Sequence, residues 1–595
     1  MCGIAGQWNR NSPVNTINFI SMRDTLAHRG PDGSGIYVSG NKKLVLGHRR
    51  LSLIDLDETG SQPMHNEDNS IQIVVNGEIY NFPELKKQLE NKGHYFYSTS
   101  DSEVIVHAYE EWGVKMLGHI KGMFAFAVWD EKNQKLFLAR DRFGIKPLYY
   151  YTSEDTFIFA SELKAILAYP AFKREIDFSS FCDFFVYRYV PSPKTIWKNV
   201  SKIPPATYLQ INLNNYNKPK VKEYWGLGHG HENADQLEII ENIDEILYKS
   251  VEGHLLSDVP IGSFLSGGYD SSALVYYMNR LKYPSQTFAI GFEHWEQSEH
   301  LYAEMVADIF KTQHQSFLVG KQDFGLVSDL VYFYDEPIAD ISIIPTYIIS
   351  KVASQKVKAV LSGEGADEIF GGYHWHKSFT AACSGMSPLK KMINKPGLTD
   401  REFTIGKYNE AMAMGMFNTS LLKDFMHTDF HNYIPEKTTW FYENHLKPCL
   451  SPLKAFQYLD IKTFMGELVL TKIDRASMAN SLEVRVPFLD HEIVELLFSL
   501  NEKVYYKPGT QKYILNSILK PHLPEVILNR PKQGFVGPDT YYMDIDYYKS
   551  VVLDGCLIKD SIINREAVEK MVAKKDHWRL WKVMVMELWY QKWNK

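Results

Sequence analysis

The sequence predicts a chain of at least two domains, one of them an α/β domain built on a parallel sheet. First, its 595 residues, 45% of them hydrophobic, exceed the roughly 150 residues of an ordinary single domain. Second, the stretch GSFLSGGYDSSALVYY at 262–277 has the order of a buried strand, a glycine turn and a helix that begins near Ser271. Third, residues 287–292 predict another buried strand, and residues 299–310 predict the helix after it. Such alternation is typical of a parallel sheet with helices on both faces.

The turn at 266–268 has the features of a phosphate site. Its glycines let backbone N–H groups approach an anion closely, and the N-terminus of the following helix adds positive potential. The hydroxyl groups of Ser266, Ser271 and Ser272 offer further donors. The loop is too short for the G-x-x-x-x-G-K-[ST] phosphate loop and no lysine follows its glycines, so we do not expect γ-phosphate transfer of the kinase type.

Composition and charge argue against nucleic-acid and membrane partners. The net charge is −6, and no long run of lysine or arginine is present to neutralise a phosphate backbone. No stretch reaches the ~20 apolar residues of a membrane span, and MCGIAGQWNR lacks the basic and apolar parts of a secretion signal. We therefore expect a cytoplasmic protein. The five cysteines include no C-x-x-C pair, so neither a disulfide framework nor a zinc site is predicted.

Cys2 directly follows the initiator Met and would become the first residue once that Met is removed. A first-position cysteine carries both a thiol and a free α-amine, and the reference pKa of such an amine is about 7.7–8.0. Part of the amine is then unprotonated near neutral pH and can take the proton of the thiol. One residue could thus be nucleophile and base, although a small residue at position 2 is also common merely because it permits removal of Met.

Five further segments follow Cys2 in a distinctive order. They are HRGPDG at 28–33, GHRRLSLID at 47–55, VVNGEIYN at 74–81, TSDSEVI at 99–105 and GMFAF at 122–126. Together these segments resemble the class II glutamine amidotransferase domain, an N-terminal-nucleophile hydrolase. The resemblance implies an α+β domain with an αββα sandwich over residues 1–210. The polar, aperiodic stretch that follows predicts a linker at 211–235, and residues 236–595 form the second predicted domain.

The resemblance implies roles for the first of these residues in glutamine hydrolysis. Cys2 would attack the side-chain amide carbon of glutamine. The side chain of Asn76 and the backbone N–H of Gly77 would hold the resulting oxyanion, and loss of one such donor typically costs on the order of 100-fold or more in rate.

Three charged residues of the same segments would bind the substrate glutamine. By the resemblance, the planar guanidinium of Arg50 would pair with the α-carboxylate of glutamine, whereas Glu78 and Asp101 would receive or flank its α-ammonium group.

Four later segments carry a second resemblance, together with the phosphate loop at 266–271. They are AVLSGEGADEIFGGY at 359–373, KIDRASM at 472–478, EVRVPFLD at 483–490 and RPKQGF at 530–535. With SGGYDS at 266–271, they resemble the synthetase domain of the glutamine-dependent asparagine synthetases. That domain has the α/β parallel sheet of the ATP pyrophosphatases, which is adenine nucleotide α-hydrolase-like. The resemblance implies ATP as a substrate and Mg²⁺ as its companion ion.

The same resemblance implies the residues of the synthetase site. ATP would contact Leu265, Ser266, Gly267, Gly268, Asp270, Ser271, Ile290, Ser362 and Gly363. Asp270 and Asp367 would share Mg²⁺, a hard cation that favours carboxylate oxygens. Glu364 would contact the incoming amine and accept its proton, and Lys532 would reach the α-phosphate or the pentavalent transition state.

Two departures from the family pattern bear on the site. Tyr269 stands where the family usually has a small aliphatic residue, which predicts altered packing behind the phosphate loop. The segment DEPIADISIIPT at 335–346 carries no arginine, whereas the bacterial aspartate-using enzymes that it resembles place one nearby to hold the aspartate carboxylate. The identity of the acceptor therefore stays open at this point.

The two domains together predict a glutamine-hydrolysing asparagine synthetase. Ammonia released at Cys2 would cross an internal apolar passage and attack a β-aspartyl-AMP made from aspartate and ATP, giving asparagine, glutamate, AMP and diphosphate. The alternative acceptor is a carboxylate of a cell-wall precursor or a surface-polysaccharide sugar acid, amidated by the same mechanism. A third hypothesis, a catalytically silent nucleotide-binding regulator, disagrees with the filled catalytic positions. The sequence leaves the oligomeric state open, with a homodimer as one option.

Overall fold

The structure is a computed structural model that describes residues 2–213, 216, 219–384, 401–448, 450–530, 533 and 535–594. The predicted catalytic residue Lys532 lies outside the described residues. Within the described ranges, every helix is too short or too polar to cross a bilayer.

The first part of the chain forms two six-stranded antiparallel sheets. Their strands are β1 (Gly3–Asn9), β2 (Gly33–Val38), β3 (Leu44–Arg50), β4 (Met64–His65), β5 (Ile71–Ile79), β6 (Gly122–Asp130), β7 (Lys135–Arg140), β8 (Tyr149–Thr152), β9 (Thr156–Ala160), β10 (Val200–Lys202), β11 (Thr207–Asn212) and β12 (Val221–Glu223). The strand orders are β10-β8-β9-β1-β3-β2 and β12-β11-β7-β6-β5-β4. Strand β12, which lies in the stretch predicted as a linker, pairs with β11 and so extends the second sheet into that stretch.

The helices of this part are α1 (Thr16–Asp24), α2 (Phe82–Glu90), α3 (Glu103–Trp112), α4 (Leu163–Leu167) and α5 (Phe178–Tyr187). Neighbouring residues of a strand point to opposite faces of its sheet. Val74 of β5 accordingly packs between the two sheets, whereas Val75 packs outward in a core that includes residues of α2 and α3. Phe19 of α1 packs on the outer face of the other sheet. The predicted αββα sandwich is confirmed.

The second part of the chain is built on a parallel sheet of five strands, β13 (Ile261–Phe264), β14 (Gln286–Phe292), β15 (Gln313–Val319), β16 (Ala359–Leu361) and β17 (Glu483–Arg485). Their order is β15-β14-β13-β16-β17, and each adjacent pair is parallel. The predicted parallel-sheet domain is thus confirmed. Because β13 lies between β14 and β16, the loops that follow these three strands meet at one edge of the sheet, where open α/β sheets bind ligands.

The described residues of the second part also form helices, some of which pack on this sheet. They are α6 (Gln236–His254), α7 (Tyr269–Arg280), α8 (His300–Phe310), α9 (Val327–Tyr334), α10 (Ile343–Ala353), α11 (Ala366–Phe370), α12 (His374–Ser384), α13 (Arg401–Ala411), α14 (Thr419–Phe425), α15 (Trp440–His445), α16 (Pro452–Leu459), α17 (Thr471–Met478), α18 (His491–Ser499), α19 (Glu502–Tyr505), α20 (Tyr513–Leu519), α21 (Glu525–Leu528), α22 (Asp539–Tyr542), α23 (Ile545–Val552), α24 (Cys556–Lys559), α25 (Arg565–Ala573) and α26 (His577–Trp593). A π-helix over Asp460–Leu470 joins α16 to α17. Helix α7 begins two residues before the predicted Ser271, because Gly268 already serves as its N-cap.

Buried charges join the two parts of the chain. Arg29 of the first part donates two hydrogen bonds to Asp474 of α17, at 2.9 and 3.0 Å. Glu162 lies 2.8 Å from Arg29 and 2.7 Å from Arg475. All four side chains are almost wholly buried. Since removing one member of such a group leaves an uncompensated buried charge, this network holds the two parts in one arrangement.

Candidate active sites

Cys2 lies immediately before β1 and is 8% exposed. Its backbone N–H donates to Oδ1 of Asn76 at 3.2 Å, and its carbonyl oxygen accepts a hydrogen bond from Nε of Arg29 at 3.0 Å. Burial raises the pKa of the Cys2 thiol. The predicted nucleophile and the predicted oxyanion residue are therefore in contact, although Cys2 precedes a strand of one sheet and Asn76 lies on a strand of the other.

The side chain of Asn76 is fully buried, and its Nδ2 has no hydrogen-bond partner among the described residues. A buried donor without a partner costs about 1–3 kcal/mol, so such groups often mark a place where a ligand completes the hydrogen bonding. The neighbouring Gly77 pairs with Phe124 of β6. A side chain at position 77 would clash with the carbonyl oxygen of Met123, so this close backbone approach requires glycine.

Asp101 precedes α3, and one of its carboxylate oxygens accepts the backbone N–H of Ile79 at 2.7 Å. Burial raises the pKa of Asp101 to about 6. The other predicted glutamine ligand, Arg50, stands at the end of β3. Its guanidinium donates to the carbonyl oxygens of Asp57, at 2.7 Å, and of Asp55. Arg50 is thus held in place by the loop that follows its own strand.

Glu78 makes a contact that the sequence did not predict. Its carboxylate lies 3.1 Å from the guanidinium of Arg485, which belongs to β17 of the second part of the chain. Nε of Arg485 also donates to Glu483 at 2.6 Å. Burial, followed by the nearby Glu483 charge, raises the pKa of Glu78 well above its usual range. The motif EVR at 483–485 therefore reaches the predicted glutamine site, a position that neither this motif nor VVNGEIYN at 74–81 shows by itself.

Hydrogen bonds between residues of the phosphate loop hold its conformation. The backbone N–H of Ser266 donates to Oγ of Ser271 at 3.1 Å, and the N–H of Gly268 donates to Oγ of Ser266 at 3.4 Å. Gly267 has a φ of +71°, and a Cβ there would lie 2.5 Å from the backbone of Tyr302. The turn therefore needs glycine at 267 both for its conformation and for space.

The two predicted metal-binding carboxylates converge on one point. Asp270 lies in the first turn of α7 and Asp367 in α11. Nζ of Lys512 is paired with both, at 2.7 Å from Asp367, and Lys512 is only 3% exposed. Two carboxylates that hold one buried cation are a suitable donor set for a hard metal ion. Lys512 was not predicted, because its segment GTQK at 509–512 carries no recognisable nucleotide motif.

A cavity of about 810 Å³ contains this site. Of the predicted ATP and metal residues, it is lined by Leu265, Ser266, Gly268, Asp270, Ser271, Ile290, Ser362, Gly363 and Asp367. Gly267 belongs to the loop but does not line the cavity. Glu364 also lines it and accepts a hydrogen bond from the hydroxyl of Ser362. The volume is within the range of about 300–1,000 Å³ that is usual for small-molecule sites.

A second group of charged residues lines the same cavity: Arg188, Asp340 and Lys472. Arg188 follows α5 in a left-handed conformation with φ +75°, and its Nε is buried without a hydrogen-bond partner among the described residues. Burial alone would raise the pKa of Asp340, but the charges of Lys472 and Arg188 lower it. The cavity therefore presents both a cationic and an anionic group beside the nucleotide residues.

Tyr269 and Arg530 connect the phosphate loop and the helix after it to later segments of the chain. The Tyr269 hydroxyl donates to the carbonyl oxygen of Leu528 and accepts from Nδ2 of Asn516 at 2.6 Å. Arg530 donates to the carbonyl oxygen of Ser266 at 3.1 Å. The tyrosine hydroxyl thus ties α7 to α20 and α21, and Arg530 brings the start of the segment that contains Lys532 to the loop.

Comparison with known proteins also divides the chain into two parts. Residues 1–225 match the family described as "Glutamine amidotransferase domain", and residues 242–591 match the family described as "Asparagine synthase". The protein named "Asparagine synthetase [glutamine-hydrolyzing] 1" of Bacillus subtilis (strain 168) is 32% identical over 623 residues, which cover 99% of this chain and 96% of that protein. "Asparagine synthetase [glutamine-hydrolyzing] 3" of the same organism is 32% identical over 609 residues, with 96% and 93% covered.

Proposed function

The chain belongs to the asparagine synthase family in its glutamine-hydrolysing form, and we propose that it transfers the amide nitrogen of glutamine to aspartate with the cleavage of ATP to AMP. Aspartate and ATP give β-aspartyl-AMP and diphosphate. Ammonia from glutamine then displaces AMP and gives asparagine. The observation that carries the proposal is the presence of two sites on one chain. A buried cysteine contacts Asn76, whose Nδ2 has no hydrogen-bond partner among the described residues, and a phosphate loop lies beside two converging carboxylates.

The first half-reaction uses Cys2 after removal of Met1. The backbone nitrogen that now donates to Asn76 would become the α-amine, which takes the proton of the thiol as sulfur attacks the glutamine amide. Nδ2 of Asn76 and the N–H of Gly77 would hold the oxyanion. Collapse of this intermediate returns the proton to the leaving nitrogen and releases ammonia. Water then cleaves the thioester and frees glutamate.

The second half-reaction takes place in the cavity beside the phosphate loop. Asp270 and Asp367 would hold Mg²⁺, and the fit is supported by the cation, Lys512 Nζ, that both carboxylates already contact. Bound Mg²⁺ would neutralise charge on the phosphates of ATP. The phosphate loop would orient the diphosphate leaving group. We assign to Glu364 the acceptance of the proton that ammonia loses and to Lys532 the stabilisation of the transition state.

Aspartate is the acceptor that fits the charged lining best. An aspartate carries an α-carboxylate and an α-ammonium, and the cavity offers the cations Arg188 and Lys472 together with the ionised Asp340. A sugar acid would leave the Asp340 carboxylate without a cationic partner from the substrate. Arg188 supplies an arginine that the segment 335–346 does not contain. The lining therefore favours an amino acid over the alternative acceptors.

Diphosphate release with a panel of acceptors tests this proposal. We expect release and AMP formation with aspartate, with either glutamine or ammonium as the nitrogen source, and no ADP. Release with a sugar acid or a peptidoglycan precursor but not with aspartate would establish the alternative acceptor. Absence of both glutamine hydrolysis and diphosphate release would instead support a regulatory protein.

Replacement of Arg188 by methionine is expected to raise the KM for aspartate about 10- to 100-fold and to leave the KM for ATP nearly unchanged. A hydrogen bond to a charged group contributes about 1.5–3 kcal/mol, which sets this range. The measurement is diphosphate release with ammonium as the nitrogen source, so that the glutaminase site plays no part. The exposed Lys198, which pairs with Glu175 at 3.5 Å, gives a matched control in Lys198→Met. An unchanged KM for aspartate in Arg188→Met would contradict the assignment.

The glutaminase activity is expected to fall at acid pH because of Asp101. Its pKa is raised by burial to about 6, so below pH 6 the carboxylate takes up a proton and no longer attracts the α-ammonium of glutamine. The α-amine of Cys2 must also be unprotonated, so kcat/KM for glutamine should fall about tenfold per pH unit below the pKa of that amine and about a hundredfold per unit below pH 6, where Asp101 is protonated as well. Asp101→Asn should have a low kcat/KM and keep only the tenfold slope of the α-amine. Persistence of the steeper fall in Asp101→Asn would assign it to another group.

A further inference from the structure

Four potential metal ligands meet on the outer side of the first domain, in the layer formed by α2 and α3. They are Glu67, His94, His107 and Glu110, here called the Glu67 cluster, and one ligand atom from each lies within 4.8 Å of all the others. His107 and Glu110 share one face of α3 because they are three residues apart. Glu67 follows β4 and His94 follows α2. The fold thus brings three separate segments to this point.

His107 has the features of a metal ligand whose second nitrogen is already committed. The residue is fully buried, and its Nε2 is 3.4 Å from a carboxylate oxygen of Glu103. Its Nδ1 has no hydrogen-bond partner among the described residues and lies 3.5 Å from Oε1 of Glu67. When the proton is on Nε2 and faces Glu103, the lone pair of Nδ1 faces the cluster. Metal-binding histidines commonly have such a carboxylate on the other nitrogen.

The spacing of the donors suits a small tetrahedral ion. Nδ1 of His94 is also 3.5 Å from Oε1 of Glu67. Bonds of about 2.0–2.1 Å in tetrahedral geometry separate neighbouring ligand atoms by about 3.3–3.4 Å. Glu110 accepts a hydrogen bond from Nδ2 of Asn66 at 3.0 Å, which orients its carboxylate. Modest side-chain movement would therefore bring the four donors to bonding distance.

We propose that the Glu67 cluster binds one Zn²⁺ ion as a structural site. Two imidazole nitrogens and two carboxylate oxygens match Zn²⁺, whereas Mg²⁺ and Ca²⁺ prefer sets of oxygen ligands. The absence of paired cysteines in the sequence argued against a zinc site. That argument could not detect the Glu67 cluster, because the cluster contains no cysteine and its ligands come from three separate segments. The site is independent of the proposed synthetase activity.

The bound ion would stiffen the segment that leads to Asp101. Glu103, the partner of His107, accepts the backbone N–H groups of Tyr97 and Ser98, each at 2.8 Å. The same stretch of chain begins at His94 and carries Asp101 three residues after Ser98. An ion that holds His94 and His107 would therefore restrict the motion of this segment from both sides.

Metal titration of the full-length protein after chelation and dialysis tests the proposal. We expect one equivalent of Zn²⁺ to bind, Co²⁺ to give the visible absorption of a tetrahedral site, and excess Mg²⁺ to compete with neither. The partly exposed positions allow the variants Glu67→Gln and His94→Gln, which should fold normally and weaken Zn²⁺ binding by at least about 100-fold. His107→Gln should also weaken Zn²⁺ binding, and His119→Gln serves as the control, because His119 follows α3, stacks on Trp112 and is not part of the Glu67 cluster.

Two results would overturn the proposal. One is wild-type protein that binds no Zn²⁺ or gives only octahedral Co²⁺ spectra. The other is binding of one equivalent that survives unchanged in both Glu67→Gln and His94→Gln. Zn²⁺ should also raise the Tm of the wild type by a few degrees and that of His119→Gln equally, but not that of His94→Gln.

Discussion

Cys2→Ala protein is expected to lose glutamine-dependent amidation while it keeps amidation with ammonium. Removal of a catalytic nucleophile typically lowers kcat by a factor on the order of 10⁴ or more. The ATP site, by contrast, is built from residues of the second domain and uses no atom of Cys2. The measurement is asparagine formation with glutamine or with ammonium, followed together with diphosphate release. Cys383→Ala, which alters a partly buried cysteine of α12, is the control and should retain both activities.

A companion variant separates the thiol from the α-amine. Insertion of an alanine between Met1 and Cys2 keeps the thiol but moves the free amine away from it, so we expect glutamine hydrolysis to fall about as far as in Cys2→Ala. Intact mass of the wild type should show that Met1 has been removed. Glutamine-dependent synthesis by protein that retains Met1 would refute the assignment of the α-amine as base. Loss of the ammonium reaction in Cys2→Ala would instead point to a folding defect.

Much of the arrangement of both candidate sites was predictable from the sequence, because several of their residues stand close together in short segments. Asn76 and Gly77 are neighbours on one strand, and Asp270 follows its glycine turn after one residue. A segment of this kind carries its local geometry with it, and the strand that precedes the turn determines where in the sheet it lies. The parallel sheet was predictable for the same reason, since strands and helices alternate around the phosphate loop.

Residues whose role depends on distant partners were not predictable. Arg188 and Lys512 enter the nucleotide cavity from the end of α5 and from the turn before α20, and no spacing in the sequence relates them to Asp340 or Asp270. The position of β12 was missed for a different reason. Strand β12 lies at the edge of its sheet and its three residues are partly or wholly exposed. Its composition is therefore as polar as that of a linker. Where one domain ends and the next begins stays a prediction.

Arg485→Met is expected to destabilise the protein strongly and to impair the glutaminase site from the other domain. Arg485 is fully buried between the carboxylates of Glu78 and Glu483. Breaking a buried ion pair by removing one partner typically costs about 3–5 kcal/mol, because the remaining charge has lost its compensation. We expect a lower urea midpoint and a lower kcat/KM for glutamine. The exposed interdomain pair of Lys121 and Glu492 at 2.5 Å supplies the control Lys121→Met, with an expected cost of about 1 kcal/mol or less.

Arg485 also contacts the ATP site through its backbone. Its carbonyl oxygen accepts the N–H of Ser362 at 2.8 Å, and Ser362 lines the nucleotide cavity. One residue therefore touches the loop that would hold ATP and the carboxylate of Glu78 beside the glutaminase site. Arg485→Met keeps this backbone contact and removes the side-chain link to Glu78. If that link helps to match the two half-reactions, the ratio of glutamate to diphosphate formed should rise in Arg485→Met relative to the wild type.

The double variant Arg485→Met/Glu78→Gln distinguishes two causes of the lower stability of Arg485→Met: loss of the ion pair and loss of side-chain volume. The comparison is made at alkaline pH, because burial raises the pKa of Glu78 well above its usual range. If the unpaired carboxylate of Glu78 causes the loss there, its neutralisation should recover part of the urea midpoint, so that the double variant is more stable than Arg485→Met alone. If the two substitutions instead destabilise additively, the side chains act independently and the contact does not couple the domains. The ratio of glutamate to diphosphate should also be measured in Glu78→Gln. If it changes in Glu78→Gln as well as in Arg485→Met, the contact between Glu78 and Arg485, and not the fold as a whole, links the two sites.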